Sequence, residues 1–353
     1  MYTEKKKALV EKYLADNRAL EERGDIDVQA LIKGTLPKDT PGLGPSYVAS
    51  EAMIRYNNEE KEYEIIPAEQ KRVIVVGGGP AGMETALIAT LRGHRVILCD
   101  NEPKLGGSLP VPALVKGFGR EDTLALASYY KTQLAKLGVD TRLGREVNRS
   151  VAEEARPDVL IIAVGGIHNI PDLPGINKPH VVTGQALHRQ LKRYMRFIPP
   201  RLLRPLTKVW MPIGKRVIIM AGDIQGCQTA EFLVQRGRQV TIVDTAEAIG
   251  EGLLETYIKP HLLDWLDGKG VTMLSGVQYE EITDNGLIVT TKEGERLTLE
   301  ADTIVTALSL LPNTGLYESL EGSAPEVHAI GDCREPHLIV DAVADGSRIA
   351  RAI

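Results

Sequence analysis

VIVVGGGPAGMETALIATLRGHRVILCD, Val73 to Asp100, decides the fold, because the chain writes it twice. The second copy is VIIMAGDIQGCQTAEFLVQRGRQVTIVD, Val217 to Asp244. Aligned without a gap, Gly77 falls on Ala221, Gly79 on Asp223, Gly82 on Gly226 and Asp100 on Asp244. Each copy reads as apolar strand, glycine turn, helix, apolar strand and closing acid, the order of a dinucleotide-binding βαβ unit. In the first copy Gly77 permits the tight turn, Gly79 lets backbone approach a pyrophosphate, and Gly82 lets the helix pack closely on the strand. The helix opening at Pro80 and Ala81 points its free N–H groups and positive end at that phosphate. Asp100 and the adjoining Asn101 stand where a ribose hydroxyl is held.

The second copy keeps strand, helix, Gly226 and Asp244, and loses the two glycines that face the phosphate. Ala221 fits if its turn stays at negative φ. Asp223 brings a carboxylate to the place where backbone should meet a dianion. Two like charges about 4 Å apart repel by roughly 1 kcal/mol in bulk water, and by more in a shielded cleft. Gly222, Asp223, Gly226 and Asp244 thus form a candidate NAD site with two readings: a scaffold that binds NAD(H) weakly or not at all, or a working site with a shifted loop. In the second case Asp244 favours NADH over NADPH, since an acid accepts from a 2′-hydroxyl and repels a 2′-phosphate.

With 353 residues, 43% of them hydrophobic, and 34 glycines, the chain can bury two α/β domains. Few aromatics and the lack of any reader motif argue against a nucleic-acid partner, while the net charge of −5 is unremarkable. Cys99, Cys227 and Cys333 form no CxxC, which excludes a local redox disulfide and supplies no iron–sulfur ligand set. Unpaired cysteines suit the cytoplasm. Seven scattered histidines show no metal spacing, so no metal is expected. The opening MYTEKKKALVEKYLADN is too charged for a signal peptide or a membrane span.

Residues 1–70 hold fourteen acids and ten Lys/Arg and read as a helix followed by a Pro/Gly loop, an extension that wraps onto the body or a partner. After the first repeat the pattern predicts a helix over Thr123–Leu137 and strands at Val139–Leu143 and Val159–Val164. Asp284-Asn285-Gly286 and Lys292-Glu293-Gly294 are hairpin turns within a meander. Apolar strands return at Thr303–Leu308 and Val327–Ile330, before a helix after Asp341. The layout is α/β with two nested Rossmann-like domains, one formed by 71–185 and 301–353 and the other by the insert 186–300. Between Leu173 and Gly222 there are ten Lys/Arg and no acid, densest over residues 188–210. That stretch reads as a helix packed on the insert, as a docking face for an acidic redox partner or a contact for an acyl-CoA phosphate, or as a membrane-surface helix.

Four further segments bear on identity: Lys104-Leu105-Gly106-Gly107, IIAVGG at Ile161–Gly166, TALSLLPN at Thr306–Asn313 and AIGDCREP at Ala329–Pro336. With them, residues 55–353 resemble the C-terminal FAD/NAD(P) region of the 2,4-dienoyl-CoA reductase, enoate reductase and trimethylamine dehydrogenase family. The resemblance implies a glutathione-reductase-like pair of domains with FAD in the first. It places Asp332 and Gly331 at the flavin ribityl chain, Gly106 and Gly107 near the flavin, and Val147, Val164 and Gly165 in the same FAD site. In that family electrons pass from a nicotinamide through FAD and a four-iron cluster to FMN in a barrel. Here there is no barrel, Ile54 stands where a final cluster cysteine is expected, and Ala221, Asp223 and Gln228 replace Gly, Gly and Glu. The expectation is an FAD-dependent oxidoreductase subunit exchanging electrons with a separate barrel-type flavoprotein or other carrier. Two alternatives stand beside it: a complete NADH-dependent flavin oxidoreductase, and a non-catalytic structural subunit on an FAD or ADP scaffold, as the corresponding region of trimethylamine dehydrogenase holds ADP.

Overall fold

The computed structural model describes residues 54–57, 62–65, 68–115, 120–195, 198, 202, 206–207, 211–253 and 258–353. The helix and Pro/Gly loop expected in residues 1–53, and most of the basic stretch after residue 195, lie outside them.

A hairpin of β1 (Ile54–Asn57) and β2 (Glu62–Ile65) precedes the first repeat. The repeat folds as β3 (Arg72–Val76), α1 (Pro80–Leu91) and β4 (Arg95–Asp100). Val73 to Val76 are all buried, as a parallel strand covered on both faces requires. There follow α2 (Pro110–Val115), α3 (Arg120–Lys136), β5 (Asp140–Leu143), α4 (Arg149–Ala155) and β6 (Val159–Ile162). The connection runs through β7 (Ile167–His168), β8 (Val181–Thr183) and α5 (Gly184–Met195). The second repeat is β9 (Arg216–Met220), α6 (Ile224–Val234) and β10 (Gln239–Val243). After α7 (Ile258–Gly268) and β11 (Thr272–Leu274) comes the meander β12 (Gln278–Thr283), β13 (Gly286–Thr290) and β14 (Arg296–Glu300), then β15 (Thr303–Thr306). The chain ends in β16 (Leu310–Leu311), α8 (Gly315–Leu320), β17 (Glu326–Ala329) and α9 (Ile339–Ala352).

Two five-stranded parallel sheets result, ordered β17–β6–β3–β4–β5 and β11–β10–β9–β15–β8. The first strand of each repeat is central in its sheet. Each glycine turn therefore opens at the carboxyl end of a central strand, where open α/β sheets bind ligands.

The seams between the units differ from those predicted. By position, β8 and β15 fall within 71–185 and 301–353, yet both belong to the second sheet: Thr303 to Thr306 pair with Val217 to Met220, and β8 pairs with β15. A clasp fixes this register. The Asp302 carboxylate accepts from the Arg216 N–H at 2.9 Å and from its guanidinium at 2.8 Å, while the Asp302 N–H donates to the Arg216 carbonyl. The chain regains the first sheet only through the β7–β16 ribbon and β17.

Helix α9 packs on α1 through small residues. A Cβ on Gly346 would lie 2.3 Å from the Ala81 carbonyl oxygen. The Thr85 hydroxyl lies within hydrogen-bond distance of the carbonyl oxygens of both Ala81 and Gly346, at 2.8 and 3.2 Å. Among the described residues no helix is long and apolar enough to cross a membrane.

Candidate functional site

The turn after β3 is built so that backbone can crowd. Gly77 has φ +115°, and a Cβ there would strike the Ala163 carbonyl oxygen at 2.2 Å. A Cβ on Gly82 would lie 1.9 Å from the Gly77 oxygen, which is why the helix can sit so close to its strand. Gly79 differs from both. It is the N-cap of α1, has ordinary φ −77° and offers no side-chain cap, and a Cβ there would meet nothing within 4 Å. The helix N-terminus therefore opens onto a cavity of 490 Å³.

Of the residues expected at FAD, Gly77, Gly79, Pro80, Ala81, Asp100, Asn101, Gly107, Val147, Val164, Gly165 and Asp332 line this cavity. Gly82, Gly106 and Gly331 stand behind it. The Gly106 N–H donates to the Gly78 carbonyl at 2.8 Å, and the Gly331 N–H donates to buried Asp345 at 2.8 Å. The Asp100 carboxylate accepts from the N–H of Gly78 at 2.5 Å and of Glu102 at 2.7 Å, so it clamps the glycine turn as well as bordering the cavity. Burial pushes the Asp332 carboxyl above its ordinary value, against the His337 N–H that faces it at 3.4 Å. The sequence reading misses Arg145, which β5 delivers to the cavity wall, and Asn313, which follows β16. Asn313 ends the TALSLLPN segment, a signal that could have marked it.

The second turn repeats this wiring with one reversal. The Ala221 N–H donates to the Val243 carbonyl at 2.9 Å, as Gly77 does to Cys99 at 2.8 Å. Asp244 accepts from the N–H groups of Gly222 and Ala246, as Asp100 does from Gly78 and Glu102. Ala221 does not stay at negative φ as its residue type predicts: it sits at +94°. The close fit of Gly226 explains this, since a Cβ there would lie 1.9 Å from the Ala221 oxygen and the turn cannot relax away. Holding a non-glycine residue at such a φ costs of order 1–3 kcal/mol.

Asp223 supplies the reversal. It is the N-cap of α6, and its Oδ1 accepts from the N–H groups of Gln225 and Gly226, both at 2.9 Å. The Ile224 N–H donates to the Glu251 carbonyl at 3.0 Å. The other carboxylate oxygen, Oδ2, accepts from the Ser309 hydroxyl at 2.8 Å. Sheet register makes Ser309 the counterpart of Gly165: Ile162 pairs with Val76 and Thr306 with Met220, and each partner lies three residues further on. Where the first unit has two glycines facing a cavity, the second has a hydrogen-bonded acid and hydroxyl. Burial raises the Asp223 carboxyl above its ordinary value despite three donated hydrogen bonds. Burial, reinforced by Asp223 and Asp244, pushes the neighbouring Cys227 thiol up to about 12.

The family model for pyridine nucleotide-disulphide oxidoreductases matches residues 71–346. Bilirubin reductase of Mediterraneibacter gnavus is 32% identical over 79% of this chain and 40% of its own length. Cinnamate reductase of Clostridium sporogenes is 30% identical over 83% of this chain and 41% of its length. A solved 2-naphthoyl-CoA reductase in complex with 2-naphthoyl-CoA superposes with TM-score 0.70 at 27% identity, covering 82% of this chain and 40% of that one. The chain thus spans about two fifths of the length of these relatives.

Proposed function

Because the chain belongs to the pyridine nucleotide-disulphide oxidoreductase family, we propose that its first unit holds FAD, that its second unit has given up NAD(H), and that electrons are exchanged with a partner redox protein. The contrast between Gly79 and Asp223 carries this reading. At α1 the helix end is uncapped and open, which suits the pyrophosphate of FAD. At α6 the same N–H groups are already bound by a carboxylate, so a dianion would have to displace Asp223 and then face its charge.

Bound FAD would supply a carrier able to take up and release electrons one or two at a time. The chain's residues would position it: Gly77, Gly79 and Ala81 would admit the phosphates, Asp100 and Asn101 would border the adenosine end, and Asp332 would stand at the ribityl end. Thiol chemistry contributes nothing here, since all three cysteines are free, buried and shifted away from the thiolate. The partner this reading favours is a barrel-type reductase of the kind the resemblance implies, or another protein carrier.

A second reading, a complete NADH-dependent oxidoreductase, draws on the NADH oxidase of Thermoanaerobacter brockii, 28% identical over 80% of this chain, and on the retained Asp244. Anaerobic mixing separates the two. Purified protein should show flavin absorbance that dithionite bleaches and NADH does not. Bleaching by NADH would establish the second reading, and protein that takes up no FAD would sink both.

A further inference from the structure

The geometry points to a docking face for a small acidic electron-carrier protein at the rim of the first-unit cavity, formed by the apolar pair Ile167 and Leu311 and the basic helix α5. It rests on the partner exchange proposed above. Ile167 and Leu311 are direct partners across the β7–β16 ribbon, and both stand in solvent, 48% and 44% exposed. Gly165, two residues before Ile167, and Asn313, two after Leu311, line the cavity, so the ribbon frames its edge. Leu338 and Val340, also exposed, flank the cavity-lining Ile339.

Helix α5 lies beside this ribbon: the ring of His168 on β7 sits 5.3 Å from that of His188 on α5. The helix presents Arg189 and Arg193 to solvent, and carries no acid between Gly184 and Met195. A few exposed apolar side chains beside two exposed arginines make a small, weak, charge-steered interface, the kind electron carriers use for brief encounters. A second copy would set this basic flank against itself. A membrane surface would need the apolar face of α5, but Leu187 on that face packs into the core beneath the second sheet.

Isothermal titration with oxidised plant-type [2Fe–2S] ferredoxin, an acidic carrier, tests the assignment against basic cytochrome c. Ferredoxin should bind at least tenfold tighter than cytochrome c in 50 mM salt and at least tenfold weaker in 500 mM than in 50 mM, a screening effect of order ten. Arg189→Glu with Arg193→Glu, and separately Ile167→Asp with Leu311→Asp, should each weaken ferredoxin at least tenfold. Two reduced ferredoxins, giving one electron each, and one proton from water reduce one FAD. That reduction should slow in both variants, while flavin content and bleaching by dithionite stay unchanged. Ferredoxin affinity within twofold of wild type in both variants would overturn the assignment. So would a wild-type dimer that the substitutions dissociate, or binding to phosphatidylglycerol vesicles that they abolish while ferredoxin is unaffected. Ferredoxin binding with the expected sensitivity in protein that takes up no FAD would leave the face in place and remove the flavin reading.

Discussion

Gly79 and Asp223 occupy one position in two copies of one turn, so exchanging their identities tests what each does. Gly79→Asp meets no steric obstacle and should cap α1 through Ala81 and Gly82, as Asp223 caps α6. The expected product is a folded protein with flavin content below about one tenth of wild type, and at least tenfold weaker FAD binding corresponds to about 1.4 kcal/mol. Wild-type flavin content would show that the helix end does not hold the phosphate. The reverse change, Ala221→Gly with Asp223→Gly, should tighten NADH by at least tenfold, about 1.4 kcal/mol, in direct titration. Asp223 also carries a pH signature. Its carboxyl is raised in the fold, so its stabilising contribution is complete below the unfolded value of about 3.9 and is lost as pH rises through the folded value. Asparagine caps helices without ionising. Relative to wild type, Asp223→Asn should therefore gain stability between acid and neutral pH, read by urea unfolding at both; a gain that shrinks toward neutrality contradicts the buried-acid account. The loss of glycine at Asp223 is legible in the sequence because spacing alone marks the position. Its new task is only half legible: aspartate is a preferred N-cap, but its bond to Ser309 spans 86 residues of chain and no local pattern announces it.

At the level of elements, the repeated strands and helices follow directly from their apolar runs and glycines, and the hairpin turns at Asp284-Asn285 and Glu293-Gly294 sit between paired strands. The identity of the sheet to which a short buried strand belongs does not follow. Thr303 to Thr306 is apolar enough for either sheet, and the choice is made by Asp302 clasping Arg216, a contact between residues 86 apart. Helix packing shows the same limit. Gly346 could pass for an incidental glycine in α9, yet any side chain there meets the Ala81 carbonyl at the start of α1. Gly346→Ala should destabilise by about 1–3 kcal/mol, as overpacking does, and should loosen FAD because α1 moves with its N-terminus. Urea unfolding and flavin titration check both effects; wild-type stability would mean that α9 can retreat without consequence.

On the scale of the whole molecule, both sheets put the first strand of their repeat at the centre, but the edge strand enters after the repeat as β17 in one and before it as β8 in the other. The helix that follows each central strand is also capped differently. FAD at about 100 times its Kd should stabilise the apoprotein by about 2.7 kcal/mol. NADH should leave the melting temperature of wild type unmoved and raise that of the Ala221→Gly, Asp223→Gly protein. A rise for wild type with NADH would show that the second crevice is open after all. The Asp223 cap has a further consequence, for reversibility. The Asp223 carboxylate binds the N–H groups of α6, so under the proposed function the residue that keeps a nucleotide out is also part of what holds the helix. Restoring glycine at 223 alone forfeits three accepted hydrogen bonds and leaves Ala221 at its strained φ. Restoring it at 221 alone relieves strain without reopening the site. Under the proposed function neither single change should restore NADH binding, and only the two made together should open the second crevice to it.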